Sequence, residues 1–429
     1  MCQFPNMAKR RVLPYARGTM HASQTSFPKD QIKVLLLENI HQLAHDMFRA
    51  EGYQVEVLSS ALSEAALVER IKDVHILGIR SKTQVTEAVL AEASRLLTIG
   101  AFCIGTNQID LNAAKSRGIA CFNAPFGNTR SVAEMVLSEI VMLARRLGQR
   151  SNEMHQGIWR KVSANCHEVR GKTLGIIGYG NIGTQVGTLA EHFGMRVLFY
   201  DIVSKLPLGN SRGCNTLAEV LKNSDFITLH VPSTPMTKKM IGAKEIELMK
   251  KGSHLINASR GGVVVIPALV EALKSGHLAG AAIDVFPEEP ESNVNDFKTP
   301  LQGLENVILT PHIGGATEEA QANIGEEVPT SLIRYINSGS TLRSVNLPEV
   351  NMPPTANTHR ILNIHKNVPG VLSEINRIVA GLGANIQAQA LSTDSEVGYL
   401  VLDMDREASK EVKSAIEGLK TSIRTRILY

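Results

Sequence analysis

This sequence of 429 residues lacks three things, and each absence narrows what it encodes. No apolar run approaches the ~18 residues a membrane-spanning helix needs, so none is expected. The five cysteines (Cys2, Cys103, Cys121, Cys166 and Cys214) form no CxxC pair and have no histidine cluster beside them. That argues against a disulfide frame and a metal site, and for reduced thiols in a cytoplasmic protein. A formal charge of only +4 excludes a polyanion binder and a membrane-surface protein, while tolerating an anionic small-molecule substrate. Acidic residues are missing from the first 29 positions, which hold Lys9, Arg10, Arg11, Arg17 and Lys29. Without a clear amphipathic period, residues 1–26 read as a flexible basic leader rather than a transit peptide.

What is present is ordinary globular material, 43% hydrophobic and 20% charged, and long enough for two or three domains. From Ile32 on, IKVLLLE, a helix over His41–Glu51, VEVL and HILGIR alternate strand with helix. Such alternation predicts an α/β protein with a parallel sheet covered on both faces. The longest helical period spans Ser131–Arg150, with Ser131 as N-cap and Glu134 closing a capping box. A second alternating series runs from Thr173 to Ile313. The helix after it, from Glu318, is expected to kink or split at Pro329. SVNLPEVNMPPTANTH has prolines and no period, which suggests a linker. The last seventy residues follow the order βαββαβ of a ferredoxin-like domain.

TLGIIGYGNIG carries Gly178, Gly180 and Gly183 as GxGxxG between a β-branched strand and a helix pattern. The first glycine permits the tight turn and the second a close approach to a pyrophosphate. The third lets helix pack on strand, with the helix N-terminus facing the phosphates. Asp201 ends the next strand, placed to accept both ribose hydroxyls and to repel a 2′-phosphate; NAD is therefore favoured over NADP.

Three polar residues close successive strand-like runs: Arg260 after HLINAS, Glu289 after GAAIDVFPE, and His312 in VILTPHI. In an open α/β sheet those ends face the ligand crevice. Oxidising a 2-hydroxy acid needs a base, a cation for the carboxylate and a hydride acceptor. His312 suits the base, Glu289 orients it and raises its pKa, and Arg260 offers a planar fork. Asp284 is placed to meet the nicotinamide side of the cofactor.

With these residues in view, the chain resembles the D-2-hydroxy-acid dehydrogenase family, in its branch with a regulatory tail. The stretches that carry the resemblance include GIRSKTQVTEAVL, IGTNQIDL, FNAPFGNTRSVAE, GIIGYGNIGTQVG, LINASRGG, AAIDVFPEEP and LTPHIGGAT. It implies a Rossmann-type cofactor domain, residues 128–314, inserted in a flavodoxin-like substrate domain formed by 27–127 and 315–355. It also implies cofactor contacts at Tyr179, Asn181, Ile182, His230, Ala258, Gly314 and Gly315, and substrate contacts at Arg80, Ser81 and Asn128. Arg80 and Lys82 are either the grip on a terminal phosphate or an ordinary solvated face. Trp159 and Lys161 correspond to residues that reach a neighbouring subunit's site.

The tail, residues 356–429, resembles an ACT domain through NIHKNVPGVL. His365, Asn367 and Asn385 correspond to residues that bind L-serine between two such domains; a structural dimerisation module is the alternative. The resemblance implies a cytoplasmic homotetramer acting on a small phosphorylated hydroxy acid, with no nucleic-acid or membrane partner. Rival readings are a glyoxylate or hydroxypyruvate reductase and an NADH-sensing corepressor of the same fold. One departure stands out: MPPTANTHR lacks the paired glycines that form a hinge in related bacterial enzymes.

Overall fold

A computed structural model describes residues 26–290 and 293–429. Residues 1–25 of the expected basic leader, Cys2 among them, lie outside the described residues. The chain forms two compact units. The larger comprises Lys33–Ile336 and Arg343–Leu347; the smaller comprises Asn337–Leu342, Pro348–Tyr429 and the described residues before Lys33. No helix among the described residues is long and apolar enough to cross a membrane.

The larger unit begins with β1 (Lys33–Leu36), α1 (Gln42–Ala50), β2 (Gln54–Val57), α2 (Glu64–Ile71), β3 (Ile76–Ile79), α3 (Glu87–Glu92), β4 (Thr98–Ala101), α4 (Leu111–Ser116) and β5 (Ala120–Phe122). Three of these helices start where the sequence supplies an oxygen for an orphan N–H: Ser63 accepts from Ala66, Thr86 from Val89 and Asp110 from Ala113. The strands pair in parallel in the order β2-β1-β3-β4-β5, the flavodoxin-like arrangement. Strands β3, β4 and β5 are buried throughout, as a parallel sheet covered on both faces requires, whereas the edge strand β2 is not.

Helix α5 (Thr129–Arg145) follows, then α6 (Leu147–His155). Two expectations fail here. The helix starts two residues before Ser131, whose hydroxyl pairs with Thr317 instead, and Glu134 bonds Arg130. It also ends at Arg146, which takes a left-handed conformation (φ 54°) as the cap, so one long helix becomes two. The apolar period continued through the break because Leu143 and Leu147 keep it, and a non-glycine cap leaves no mark in composition.

The second sheet contains β6 (Thr173–Ile177), α7 (Asn181–His192), β7 (Arg196–Tyr200), β8 (Arg212–Gly213), α8 (Leu217–Asn223), β9 (Phe226–Leu229), α9 (Ala243–Leu248), β10 (Ser253–Asn257), α10 (Ile266–Lys274), β11 (Leu278–Ile283) and β12 (Val307–Leu309). All seven strands are parallel, ordered β12-β11-β10-β9-β6-β7-β8. The order reverses between β6 and β9, the switch point where a Rossmann-type sheet opens its ligand crevice. Val132, Val136, Ile140 and Leu143 of α5 share one core with Leu174, Ile176, Val186 and Ala190 of β6 and α7.

Helix α11 (Glu318–Ser338) brings the chain back to the first sheet: Val328 and Leu332 fill the space above Gly100, and Tyr335 meets Phe122 at 5.9 Å between ring centres. Pro329 does not split this helix, which runs unbroken for 21 residues. Burial of Val328, Leu332 and Tyr335 on the sheet outweighs the one backbone bond the proline removes.

In the smaller unit β13 (His359–Lys366), α12 (Val371–Gly381), β14 (Ile386–Thr393), β15 (Val397–Met404), α13 (Ser409–Glu417) and β16 (Ser422–Leu428) form an antiparallel sheet, β14-β15-β13-β16, with its own core beneath α12 and α13. This is the expected ferredoxin-like order. The segment read as a bare linker is more engaged than its composition suggests. Within the larger unit Asn346 pairs with both Cys121 N–H and the Ile119 carbonyl. Within the smaller, Arg360 donates to the carbonyls of Ser338, Met352 and Pro353.

Candidate functional site

The dinucleotide turn divides its labour among three glycines. Gly178 has φ 91°, and a side chain there would collide with the His230 carbonyl. One at Gly183 would collide with the Gly178 carbonyl. Gly180 has nothing within 4 Å of where a Cβ would stand, so its backbone is open to a ligand. At the end of β7 Asp201 accepts from Tyr179 N–H (2.8 Å) and Val203 N–H (3.0 Å), which fixes the carboxylate and leaves lone pairs for two hydroxyls. The Tyr179 ring stacks on Phe199 at 3.8 Å, Asn181 donates to the Pro125 carbonyl, and Ile182 packs on the core. With the N-terminus of the 12-residue α7 at the opening, these residues fit a dinucleotide. His230, after β9, pairs through Nε2 with Thr228, and its buried Nδ1 has no partner among the described residues. Burial pulls its pKa down to about 3, so the ring is neutral.

Arg260, Asp284, Glu289 and His312 follow β10, β11 and β12, three adjacent strands of the same sheet. His312 Nδ1 and Glu289 Oε2 lie 2.7 Å apart. The hydrogen bond to Glu289 lifts the imidazole pKa above its ordinary value, burial works against it, and the Glu289 and Asp284 charges add to the rise. Burial alone would push the Glu289 carboxyl up; the His312 bond, the Phe286 N–H and the nearby Arg260 charge more than reverse this and leave it low. Arg260 donates to the Ser259 carbonyl through Nη1, while its charge is felt at both partners of the pair.

Asp284 does something the sequence did not suggest. Its buried carboxylate accepts from the Thr310 hydroxyl, Ile313 N–H and Gly314 N–H, and its carbonyl accepts from His312 N–H. The His312 loop therefore hangs on Asp284. That loop needs holding, because His312 has φ 54°, which is uncommon for a non-glycine residue. Ala258 is half-buried after β10, and Gly314 lies against Asp284, Met135 and Val132.

On the substrate side, Arg80, Ser81 and Lys82 form the loop after β3. The side chains of Arg80 and Lys82 make no hydrogen bond or ion pair with any described residue. Gln108 and Cys103 tie the Arg80 carbonyl to that of Gly105, and a Cβ on Gly105 would stand 3.0 Å from Arg260 Nη2. The two arginines are thus brought around one glycine. Asn128, ahead of α5, touches Gly315 and leaves its buried Oδ1 without a partner among the described residues. Sequence reasoning missed Glu38, Gln108 and Glu139: Gln108 lies within IGTNQIDL but was given no role, and no motif surrounds the other two. Trp159 and Lys161 are exposed.

In the tail, His365 is buried, paired with Asn363 and packed against Gly398, and burial lowers its pKa. Asn367 donates to the Asp394 carbonyl. Register puts His365 opposite Gly398 and Ile386 opposite Met404, so Asn385 lies at the other end of the sheet from His365 and Asn367. One tail alone does not assemble the three.

A Rossmann-type crevice facing a histidine–carboxylate pair and a guanidinium that spends one bond on Ser259 defines an NAD-dependent dehydrogenase of 2-hydroxy acids. Comparison agrees: residues 137–314 match the NAD-binding domain of the D-isomer specific 2-hydroxyacid dehydrogenases, and 361–424 match an AHAS small subunit-like ACT domain. D-3-phosphoglycerate dehydrogenase from Dictyostelium discoideum is 59% identical over 405 residues, 94% of this chain and 99% of that one. The Escherichia coli protein of that name is 53% identical over 410 residues, covering 95% and 100%. Among solved structures, D-lactate dehydrogenase from Aquifex aeolicus with NAD and lactic acid superposes with TM-score 0.63 at 30% identity, over 71% of this chain and 95% of that one. The chain belongs to the D-3-phosphoglycerate dehydrogenase family, NAD-dependent enzymes among the D-2-hydroxyacid dehydrogenases.

Proposed function

We propose that this chain oxidises D-3-phosphoglycerate to 3-phosphohydroxypyruvate, and runs the reverse reaction, as the first step of the phosphorylated route to serine. The observation that carries the chemistry is the 2.7 Å His312–Glu289 pair at the carboxyl end of the cofactor sheet. Because Nδ1 is held by Glu289, Nε2 is the ring nitrogen left to take the C2 hydroxyl proton. Arg260 fixes the substrate carboxylate with the N–H groups not used on Ser259. Bound NAD supplies the acceptor for the C2 hydride. In the reverse direction protonated His312 returns its proton to the oxygen that becomes the hydroxyl, and Glu289 favours that protonated form by raising the imidazole pKa. Arg80 and Lys82, uncommitted within the described residues, grip the phosphate, with Ser81 and Asn128 completing the cleft.

The domain reading rests on the three sheets: a split substrate domain (27–127 and 315–355), a cofactor domain (128–314) and the ACT tail (356–429). Serine feedback is supported by the match of the tail and by His365, Asn367 and Asn385, which two tails related by symmetry would bring together. A cytoplasmic homotetramer follows from the same reading.

NADH oxidation with 3-phosphohydroxypyruvate, with and without millimolar serine, tests both parts. Serine-suppressed turnover is expected. Turnover indifferent to serine would overturn the feedback alone, and no turnover would overturn the substrate.

A further inference from the structure

The loop that carries Arg80 and Lys82 is built on a carboxylate no motif pointed to. Glu38 follows β1 with φ 63° and is 7% exposed. Its oxygens accept three backbone N–H groups of the neighbouring loop: Arg80 at 3.2 Å, Thr83 at 2.8 Å and Lys82 at 3.0 Å. Within Arg80–Thr83 this leaves the Ser81 N–H as the amide with no partner among the described residues. Asn39, next in the chain, is also left-handed, at φ 52°. Two successive non-glycine residues in that region cost conformational energy, and they persist only where other bonds over-determine the backbone.

A buried carboxylate beside an anion site is a liability unless its charge is neutralised locally. Here three N–H dipoles do that, so the field of Arg80 and Lys82 reaches an incoming anion with little opposition. Gln108 holds the other side of the turn by donating to the Arg80 carbonyl at 2.6 Å. The backbone at Arg80 is therefore fixed from both its N–H and its carbonyl.

We propose that Glu38 is a positioning residue for phosphate recognition: it shapes the 80–83 loop so that two cations and the free Ser81 amide converge on the substrate's terminal phosphate. This rests on the phosphoglycerate reading above. It assigns Glu38 no contact with substrate and no part in proton transfer, and it predicts an effect confined to the phosphate.

Two keto acids separate the effects, 3-phosphohydroxypyruvate and the same acid without its phosphate. Glu38→Ala should raise KM for the phosphorylated acid roughly 10- to 100-fold, the scale expected when a binding group is displaced by about 1 Å. NADH affinity and turnover of the unphosphorylated acid should change by less than about threefold. Glu38→Gln should fall between, since one oxygen still accepts from Arg80 and Thr83 while the amide opposes Lys82 N–H. If Glu38→Ala does not fold, the Gln variant carries the test. Adding Lys82→Met to either variant should cost less than it does in the wild type. Equal losses on both acids, or a fall in NADH affinity, would overturn the proposal in favour of a merely structural role. A wild-type enzyme indifferent to the phosphate would instead overturn the substrate reading, and this proposal with it.

Discussion

Two ion pairs of similar composition, one in each unit, do opposite work. His312–Glu289 in the larger unit is wet, with side chains 49% and 33% exposed. Arg360–Asp403 in the smaller is dry, at 6% and 1%. In the wet pair the imidazole pKa is raised by its partner, and solvent reaches both side chains. In the dry pair the guanidinium has every donor group used: two bonds to Asp403 at 2.6 and 2.8 Å and three to carbonyls at 2.8 Å. Burial alone would lift the Asp403 carboxyl, and the bonds from Arg360 and Thr355 more than reverse that. On the function proposed above, the pair that moves a proton keeps one exchangeable member at the surface, while the pair that fixes a fold is sealed and saturated.

The comparison breaks most visibly at the dry pair. Asp403→Ala leaves a buried guanidinium unpaired and should cost about 3–5 kcal/mol of stability, read by denaturant unfolding of the full chain. Replacing both partners with apolar residues of similar size should recover much of that loss. An effect below about 1 kcal/mol would mean the pair is not sealed as described.

Removing the wet pair's carboxylate should act on rate rather than stability. Glu289→Gln is expected to lower kcat roughly 100-fold while leaving the unfolding midpoint almost unmoved. The pH profile carries the sign. Oxidation needs neutral His312, so its rate falls as pH drops through the raised imidazole pKa; reduction needs the protonated ring and falls as pH rises through it. In Glu289→Gln both limbs should move to lower pH, toward the ordinary histidine range.

How much of this was legible in the sequence depends on whether the chemistry needs a motif. The placement of the glycine turn, Asp201 and the three residues after β10, β11 and β12 was readable, because the chemistry we propose for them demands a residue type at a fixed place. Glu38 was not, since a glutamate ending VLLLE looks like any solvated strand end. Nor was the role of Asp284 in holding the His312 loop, which depends on backbone groups of Ile313 and Gly314 about thirty residues away. Arg146, Pro329 and the 344–359 segment misled because tertiary context overrode local signals: the apolar period ran on where a left-handed Arg146 ends the helix, the helix continued through Pro329, and packing or distant hydrogen bonds held the unpatterned segment.

Glu139 sharpens the comparison with a third case, a carboxyl neither wet nor paired. It lies on α5 at 3% exposure, and neither oxygen has a partner among the described residues. Burial, aided by the Asp284 charge, pushes its pKa up to about 8. The folded protein therefore holds a proton that the unfolded chain releases near 4.5, and stability falls progressively between those values as pH rises. Glu139→Gln should flatten that part of the stability–pH curve, the smallest of these effects. An unchanged slope would show that the carboxyl is ionised in the fold.

The most direct test of the central claim is to measure both turnover and NADH binding in His312→Ala. With the base gone and the dinucleotide turn untouched, 3-phosphohydroxypyruvate reduction should fall roughly a hundred- to ten-thousandfold while NADH affinity holds within about threefold. Near-normal turnover, or NADH binding lost along with activity, would contradict the assignment of His312 as the proton-transferring group.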